Sequence, residues 1–320
     1  MRRSTFVAAA LAAVLLPFAA LAQSDWPNRP VTFIVPYPPG GLNDAVARVF
    51  ADRMTSELGR QVLVDNKAGA ATTVASNFVA KAAPDGYTIY GGGTSLVINP
   101  TLTGNVQYDP HKSFDYVSLM SFTPFILQVN AEFPAKNMAE LIAHVKANPG
   151  KFNIASSGIG ATNHLAAELF KTMAGVDIVQ IGYKGAGPGL NDLIAGQIQV
   201  MFPTAGAAVP HVKSGRVKAL AVTSPGRSPV APQLPTVAES GLPGYESLAI
   251  YGVFAPAKTP RAIVDRLNKE IARILGAPDT RERFLAMGME TVGGTPEQLA
   301  ARVKSEMQRM GKVIRAAGIK

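Results

Sequence analysis

The chain has 320 residues and no cysteine, with 31 Lys and Arg against 22 Asp and Glu and a net charge of +9. Without cysteine there are no disulfides and no thiolate metal sites, and a chain of this length has core enough to do without either. The basic residues are scattered, with no basic block or aromatic-interleaved stripe. This pattern argues against nucleic-acid binding and favours encounter with small anions.

At the start, Arg2 and Arg3 precede a short apolar run over residues 6–16, and Ala20-Leu21-Ala22 has the A-x-A form of a signal-peptidase site. The expectation is an export signal over residues 1–22, cleaved near Ala22, and a periplasmic mature chain. A membrane anchor fits less well, because the apolar stretch is short and Pro17 interrupts it.

Val31-Thr32-Phe33-Ile34-Val35 is nearly continuously apolar, as in a strand buried on both faces. Pro36-Tyr37-Pro38-Pro39-Gly40-Gly41 stops it, and a helix is expected from near Asn43 with Val46, Val49, Phe50, Met54 and Leu58 on one face. Gly59 should close that helix, with Gln61-Val62-Leu63-Val64 as the next strand. The same wiring recurs about 120 residues later, which predicts two α/β domains. There Phe152-Asn153-Ile154-Ala155 reads as a strand, Ser156-Ser157-Gly158-Ile159-Gly160 as a loop, and Leu165, Leu169, Phe170 and Met173 as a helix face closed by Gly175. Ile178-Val179-Gln180-Ile181 is the strand that follows. Asn137 with Glu140 fits a capping box, and Pro260 and Pro296 each fit a first helical position.

Two strand-like apolar segments, 122–129 and 248–255, flank the second module and are expected to cross between domains. The expected organisation is then 1–22 signal, 23–124 plus 248–320 as a discontinuous first domain, and 125–247 as the second. Two such α/β lobes would lie around a cleft, with the crossing strands as a paired-strand hinge.

No local pattern supports catalysis or a metal. The four histidines, His111, His144, His164 and His211, fall in different predicted elements and none sits in H-E-x-x-H spacing. His164 and Glu168 are four apart on one helix, a spacing read here as a helix-surface pair rather than as metal ligands. Ser156 and Ser157 occupy a strand-to-helix turn but lack a G-x-S-x-G elbow and an assignable base. Gly158-Ile159-Gly160 fails the dinucleotide fingerprint, and Gly185-Ala186-Gly187-Pro188-Gly189 has no Lys-Ser/Thr after it to form a P-loop. The expectation is no enzyme, no cofactor and no metal.

Four turns, 36–44, 91–99, 156–164 and 182–189, offer backbone N–H groups, and three lead into predicted helices. A helix N-terminus presents unpaired amides and roughly half a positive charge, so it receives a carboxylate without a cationic side chain. Lys184 is the single Lys or Arg in all four turns. Candidate donors are Asn43, Thr94, Ser95, Ser157, Thr162 and Asn163, with backbone contacts at Gly40, Gly41, Gly158 and Gly185. His164, Lys184 and Thr204 complete the polar candidates. Tyr37 and Phe202 are candidate cleft walls or core residues. Asp44 is read first as a helix-terminus partner and second as a ligand acceptor.

These residues carry a family resemblance. Trp26-Pro27-Asn28-Arg29-Pro30, Val35-Pro36-Tyr37-Pro38-Pro39-Gly40-Gly41 with Asp44, Ala82-Ala83-Pro84-Asp85-Gly86-Tyr87, Asn99-Pro100 and Tyr108-Asp109-Pro110 form one ordered set. Ala155-Ser156-Ser157-Gly158, His164-Leu165-Ala166 with Glu168-Leu169-Phe170, Tyr183-Lys184-Gly185, Leu234-Pro235-Thr236-Val237-Ala238-Glu239 and Phe254-Ala255-Pro256 form the rest. Over essentially the whole mature chain, the sequence resembles the Bug-type periplasmic receptors of tripartite tricarboxylate transporters. The resemblance implies a two-lobed, type-II-like periplasmic binding protein fold, hinge closure on a carboxylated ligand held by the turns 36–44 and 156–164, partly through ordered waters, and delivery to membrane transporter subunits. Many relatives carry Phe-Asp where this chain has Phe202-Pro203, so the resemblance also implies a cargo without an amino group: a dicarboxylate, tricarboxylate or aromatic acid. A monomeric receptor is the expected form. The alternatives weighed are a periplasmic sensor for a signalling system and, further off, a secreted hydrolase.

Overall fold

The structure, a computed structural model, describes residues 26–319. The expected signal over 1–22 and its cleavage site lie outside the described residues.

The chain opens with β1 (Val31–Val35), α1 (Leu42–Leu58) and β2 (Val62–Asn66), as its apolar pattern requires. Gly59 ends α1 in the left-handed conformation, which a glycine adopts without a Cβ clash. A 3₁₀ turn at Ala70–Thr72 leads to α2 (Thr73–Ala80), followed by β3 (Thr88–Gly93), α3 (Thr94–Leu102) and β4 (Phe114–Pro124). The second module comprises β5 (Ile126–Asn130), α4 (Met138–Lys146), β6 (Asn153–Ser156), α5 (Thr162–Ala174), β7 (Val179–Gly182), α6 (Ala186–Ile194), β8 (Val200–Met201), α7 (Ala205–Lys213) and β9 (Val217–Val222). The chain then returns through β10 (Leu248–Pro256), α8 (Arg261–Gly276), α9 (Pro278–Ala286), β11 (Glu290–Thr291) and α10 (Pro296–Ala316).

These strands make two sheets. The first has the order β11-β4-β10-β3-β1-β2 and the second β7-β6-β8-β5-β9. Helices cover both faces of each. In the first sheet, Phe33 and Val253 pack with Phe50 of α1 and Leu267 of α8, while Ile34 and Tyr90 pack with Val79 of α2 and Val303 of α10. In the second, Ile154 and Val200 pack with Leu141 and Phe170, while Ala155 and Met201 pack with Leu190 and Leu193 of α6. This double cover explains why β1 reads as a continuous apolar run rather than an alternating one.

Two details differ from the sequence reading. The segment 122–129 does cross, and the change of sheet falls on one residue, Phe125, between β4 and β5. The segment 248–255 does not: β10 lies wholly in the first sheet, paired to β4 and β3. An apolar run marks a buried strand, and periodicity carries no information about which sheet buries it. Pro260 also sits one residue before α8 starts, at the N-cap with an extended ψ of 132°, and the Thr259 hydroxyl donates to the Pro256 carbonyl at 2.7 Å. Thr295 and Pro296 open α10 as expected, with a full capping box to Gln298.

Candidate functional site

Strand directions bring the two modules' working edges together. In the first sheet β2 and β3 run parallel to β1, and β10 runs antiparallel to both β3 and β4, so β1 to β4 share one direction. Their carboxyl ends therefore lie on the edge where β4 leaves, at Pro124. In the second sheet β7 and β8 run parallel to β6, and β5 runs antiparallel to β8 and β9. Their carboxyl ends lie on the edge where β5 enters, at Ile126. Both edges thus face the gap at Phe125. Crevices outside carboxyl strand ends are where open α/β sheets place their ligands.

Helices α1, α3, α5, α6 and α7 begin at this gap, and none of their N-caps (Gly41, Gly93, Ala161, Gly185 and Thr204) makes a side-chain cap hydrogen bond. By contrast α4, which starts at the far edge of the second sheet, is capped by Asn137, whose side chain accepts from the Glu140 N–H at 2.9 Å. The uncapped first-turn amides at the gap carry the positive end of each helix dipole.

On the first lobe, Asp44 organises the turn. Its carboxylate is buried and accepts from the Gly40 N–H at 2.9 Å, from Arg48 Nε at 2.9 Å and from Asn66 Nδ2 at 2.9 Å. The Arg48 guanidinium, helped by the Gly40 amide, holds the carboxyl at about 2, well below the usual range. With three donors already bound, Asp44 shapes the loop. Asn66 also donates to the Tyr37 carbonyl at 3.0 Å, locking β2 to the turn. The Tyr37 phenol lies beside the Ser95 hydroxyl, and burial raises its pKa. Asn43 sits next to the Tyr251 phenol, with its Oδ1 buried and without a partner. Tyr37, Asn43 and Tyr251 line a cavity of about 20 Å³, room for one water. Thr94 is buried with its hydroxyl accepting from the Ile250 N–H at 3.0 Å, so it ties α3 to β10.

On the second lobe, the loop over residues 156–160 is drawn tight. Asn163 Oδ1 accepts from the Ser157 hydroxyl at 2.8 Å and the Ser157 N–H at 3.2 Å. His164 Nδ1 accepts from the Gly160 N–H at 2.9 Å. Gly158 and Gly160 have φ of 145° and 72°, conformations that favour glycine. The Gly185 N–H donates to the Ser157 carbonyl at 3.1 Å, which sets the N-terminus of α6 beside that of α5. Thr162 opens α5, Lys184 is exposed at the turn, and Thr204 bridges to Phe125 at the N-terminus of α7.

The structure therefore gathers Tyr37, Gly40, Gly41, Asn43, Asp44 and Ser95 on one side and Ser157, Gly158, Thr162, Asn163, His164, Lys184 and Gly185 on the other. Phe202 is a correction. It is fully buried, 5.7 Å from the Phe170 ring and 6.5 Å from Tyr245, and belongs to the core of the second lobe. His164 and Glu168 are both buried rather than on the helix surface, at 3.8 Å, and Lys171 holds Glu168 at 2.8 Å. Among the described residues no three His, Cys, Asp or Glu side chains come together as metal ligands. Sequence reasoning passed over Arg48, Asn66 and Tyr251. Arg48 was legible as the i+4 partner of Asp44; the other two arrive from distant strands and left no local signal.

Two α/β lobes whose uncapped helix ends face one gap define a two-lobed periplasmic solute-binding fold. The chain belongs to the tripartite tricarboxylate transporter family of receptors, TctC, whose family profile matches residues 46–319. It is 40% identical over 98% of its length to the UPF0065 protein in the tcbD-tcbE intergenic region of Pseudomonas sp. (strain P51), covering 94% of that protein. Among solved structures it is similar to R. palustris Rpa4515 with adipate, at 36% identity and TM-score 0.80, over 92% of this chain and 99% of that one. It is also similar to the periplasmic binding protein BugD, at 37% identity and TM-score 0.76, again over 92% and 99%. The family is one of substrate-binding receptors and not of enzymes, which removes the hydrolase reading.

Proposed function

We propose that the chain is a periplasmic receptor that takes a small organic carboxylate, without an amino group, between its lobes and presents it to the membrane subunits of a tripartite tricarboxylate transporter. Residues 23–124 with 248–320 form one lobe in this reading, and 125–247 the other. The observation that carries it is the set of helix N-termini at the gap without side-chain caps, those of α1, α3, α5 and α6. Charge on the cargo is met by oriented peptide dipoles, and the neighbouring acid Asp44 is already neutralised by Arg48. Pro203, buried and with its carbonyl accepting from the Ile126 N–H at 3.0 Å, offers no acceptor to a ligand ammonium from its side chain. A cargo that touches both lobes binds the closed arrangement better than the open one and shifts the population toward it. That a solved relative holds adipate supports a diacid.

The test is a thermal-shift screen of refolded protein against di-, tri- and aromatic carboxylates and acidic amino acids. A ligand at a hundredfold over Kd should add about 2.7 kcal/mol of stability. Shifts with glutamate or aspartate and none with the plain carboxylates would overturn the cargo class, and no shift with any of them would overturn the receptor reading.

A further inference from the structure

Ile159 stands at the apex of the loop over residues 156–160. Its side chain is 76% exposed, more than any other large apolar side chain among the described residues. A scattered exposed aliphatic residue calls for no explanation. This one is different in where it is held. It lies between Gly158 and Gly160, in a loop tied down at both ends by Asn163 and His164. Its side chain lies against Gly182 at the carboxyl end of β7: a Cβ there would sit 3.6 Å from Ile159 Cγ1. It therefore lies between the loop that opens α5 and the turn that leads from β7 into α6. The first lobe supplies an apolar neighbour to the same loop, since a Cβ on Gly160 would come within 2.4 Å of a Leu102 methyl.

A β-branched aliphatic side chain at the loop apex gains stability only when something covers it. The loop lies beside the uncapped N-termini of α5 and α6, where the receptor reading places the carboxylate, so the part of a cargo next to its carboxylate can cover Ile159.

We infer that Ile159 is a specificity-determining residue that packs on the hydrocarbon portion of the cargo and selects carboxylates bearing an apolar chain or ring over hydroxylated acids of the same charge. This rests on the receptor reading above and names the class of acid within it.

The experiment is calorimetric titration of the refolded chain and of Ile159→Asn with adipate, phthalate, malate, citrate and galactarate, which is adipate carrying four hydroxyls. The wild type should bind adipate or phthalate at least about tenfold tighter than galactarate, malate and citrate, a difference of about 1.4 kcal/mol. In Ile159→Asn that preference should shrink to within about threefold through weaker binding of the apolar acid. The melting temperature of the unliganded variant should stay unchanged, because the side chain is exposed. Preference for galactarate, malate or citrate in the wild type, or full retention of the apolar preference in the variant, overturns the inference while the receptor reading stands. Binding of no carboxylate at all overturns both.

Discussion

His164 shows how one side chain couples the binding loop to pH. Its Nδ1 accepts the Gly160 N–H, a bond that exists only while that nitrogen is unprotonated. Burial lowers its pKa below the ordinary 6.5, against the opposing pull of Glu168, with Lys171 adding to the lowering. For a base with a depressed folded pKa, the folded state binds the proton less readily than the unfolded one. The contribution to stability is therefore complete above pH 6.5 and is lost as pH falls from there through the lower folded value. Carboxylate affinity measured by calorimetry should fall over the same window as the loop loosens. His164→Asn, which keeps an acceptor near Nδ1 without a titrating ring, should flatten that pH dependence; an unchanged pH profile would mean the loop does not depend on this bond. The acceptor role was not legible beforehand. Spacing pairs His164 with Glu168, whereas the partner that matters is a backbone amide in the preceding loop.

At the scale of elements, termini were the best-read features, because capping is local chemistry. Gly59 and Gly175 end α1 and α5 in left-handed conformations at φ of 66° and 60°. Thr295 and Gln298 close a reciprocal box in which the Thr295 hydroxyl accepts at 3.2 Å and the Thr295 N–H donates at 2.8 Å. That box holds the long helix α10, which packs across β4, and Thr295→Ala should lower stability by about 1 kcal/mol in urea unfolding with ligand affinity unaltered. A loss well under half that size would show the Pro296 start to be sufficient alone. Away from the gap, α4 and α10 are capped by side chains and α8 and α9 are not, whereas α1, α3, α5, α6 and α7 at the gap all lack a side-chain cap. The glycines at those starts are visible in the sequence. Their convergence on one gap depends on strand directions, which no turn residue encodes.

At the scale of the molecule, the lobes are joined by a narrow hydrogen-bonded bracket. Thr223, fully buried, exchanges backbone and side-chain bonds with Phe125: its hydroxyl accepts from the Phe125 N–H at 2.8 Å, and its own N–H donates to the Phe125 carbonyl at 3.0 Å. Its carbonyl accepts from the Ser247 N–H at 3.0 Å, so both crossings are linked through one residue. Just before Ser247 the chain is held on both sides. The Tyr245 hydroxyl donates to the Ala166 carbonyl of α5 at 2.8 Å, and Glu246 pairs with Arg302 at 2.6 Å and Arg309 at 3.1 Å on α10. Glu306 completes the cluster with both arginines, balancing two positive charges with two negative ones. Glu246→Gln leaves Arg302 and Arg309 sharing one carboxylate. Because both arginines keep partial contact with water, the expected loss is about 2 kcal/mol in urea unfolding rather than the larger penalty of a fully buried pair. An unchanged urea midpoint would show the cluster to be surface decoration. Elsewhere the lobes meet backbone to backbone, where a Cβ on Gly206 would lie 2.5 Å from the Met287 carbonyl oxygen.

Features that neighbouring residues settle among themselves can be read along the chain. The buried β1, the amphipathic α1, the glycine helix ends, the Pro296 helix start and the poverty of cationic side chains in the turns all follow from spacing and side-chain chemistry. Packing between distant segments settles that Phe202 is core, that β10 stays in the first sheet, that Asn66 reaches Asp44, and that Ile159 is left exposed. Each of these depends on which surfaces are buried against each other, and burial is a property of packed elements that no single stretch of chain contains.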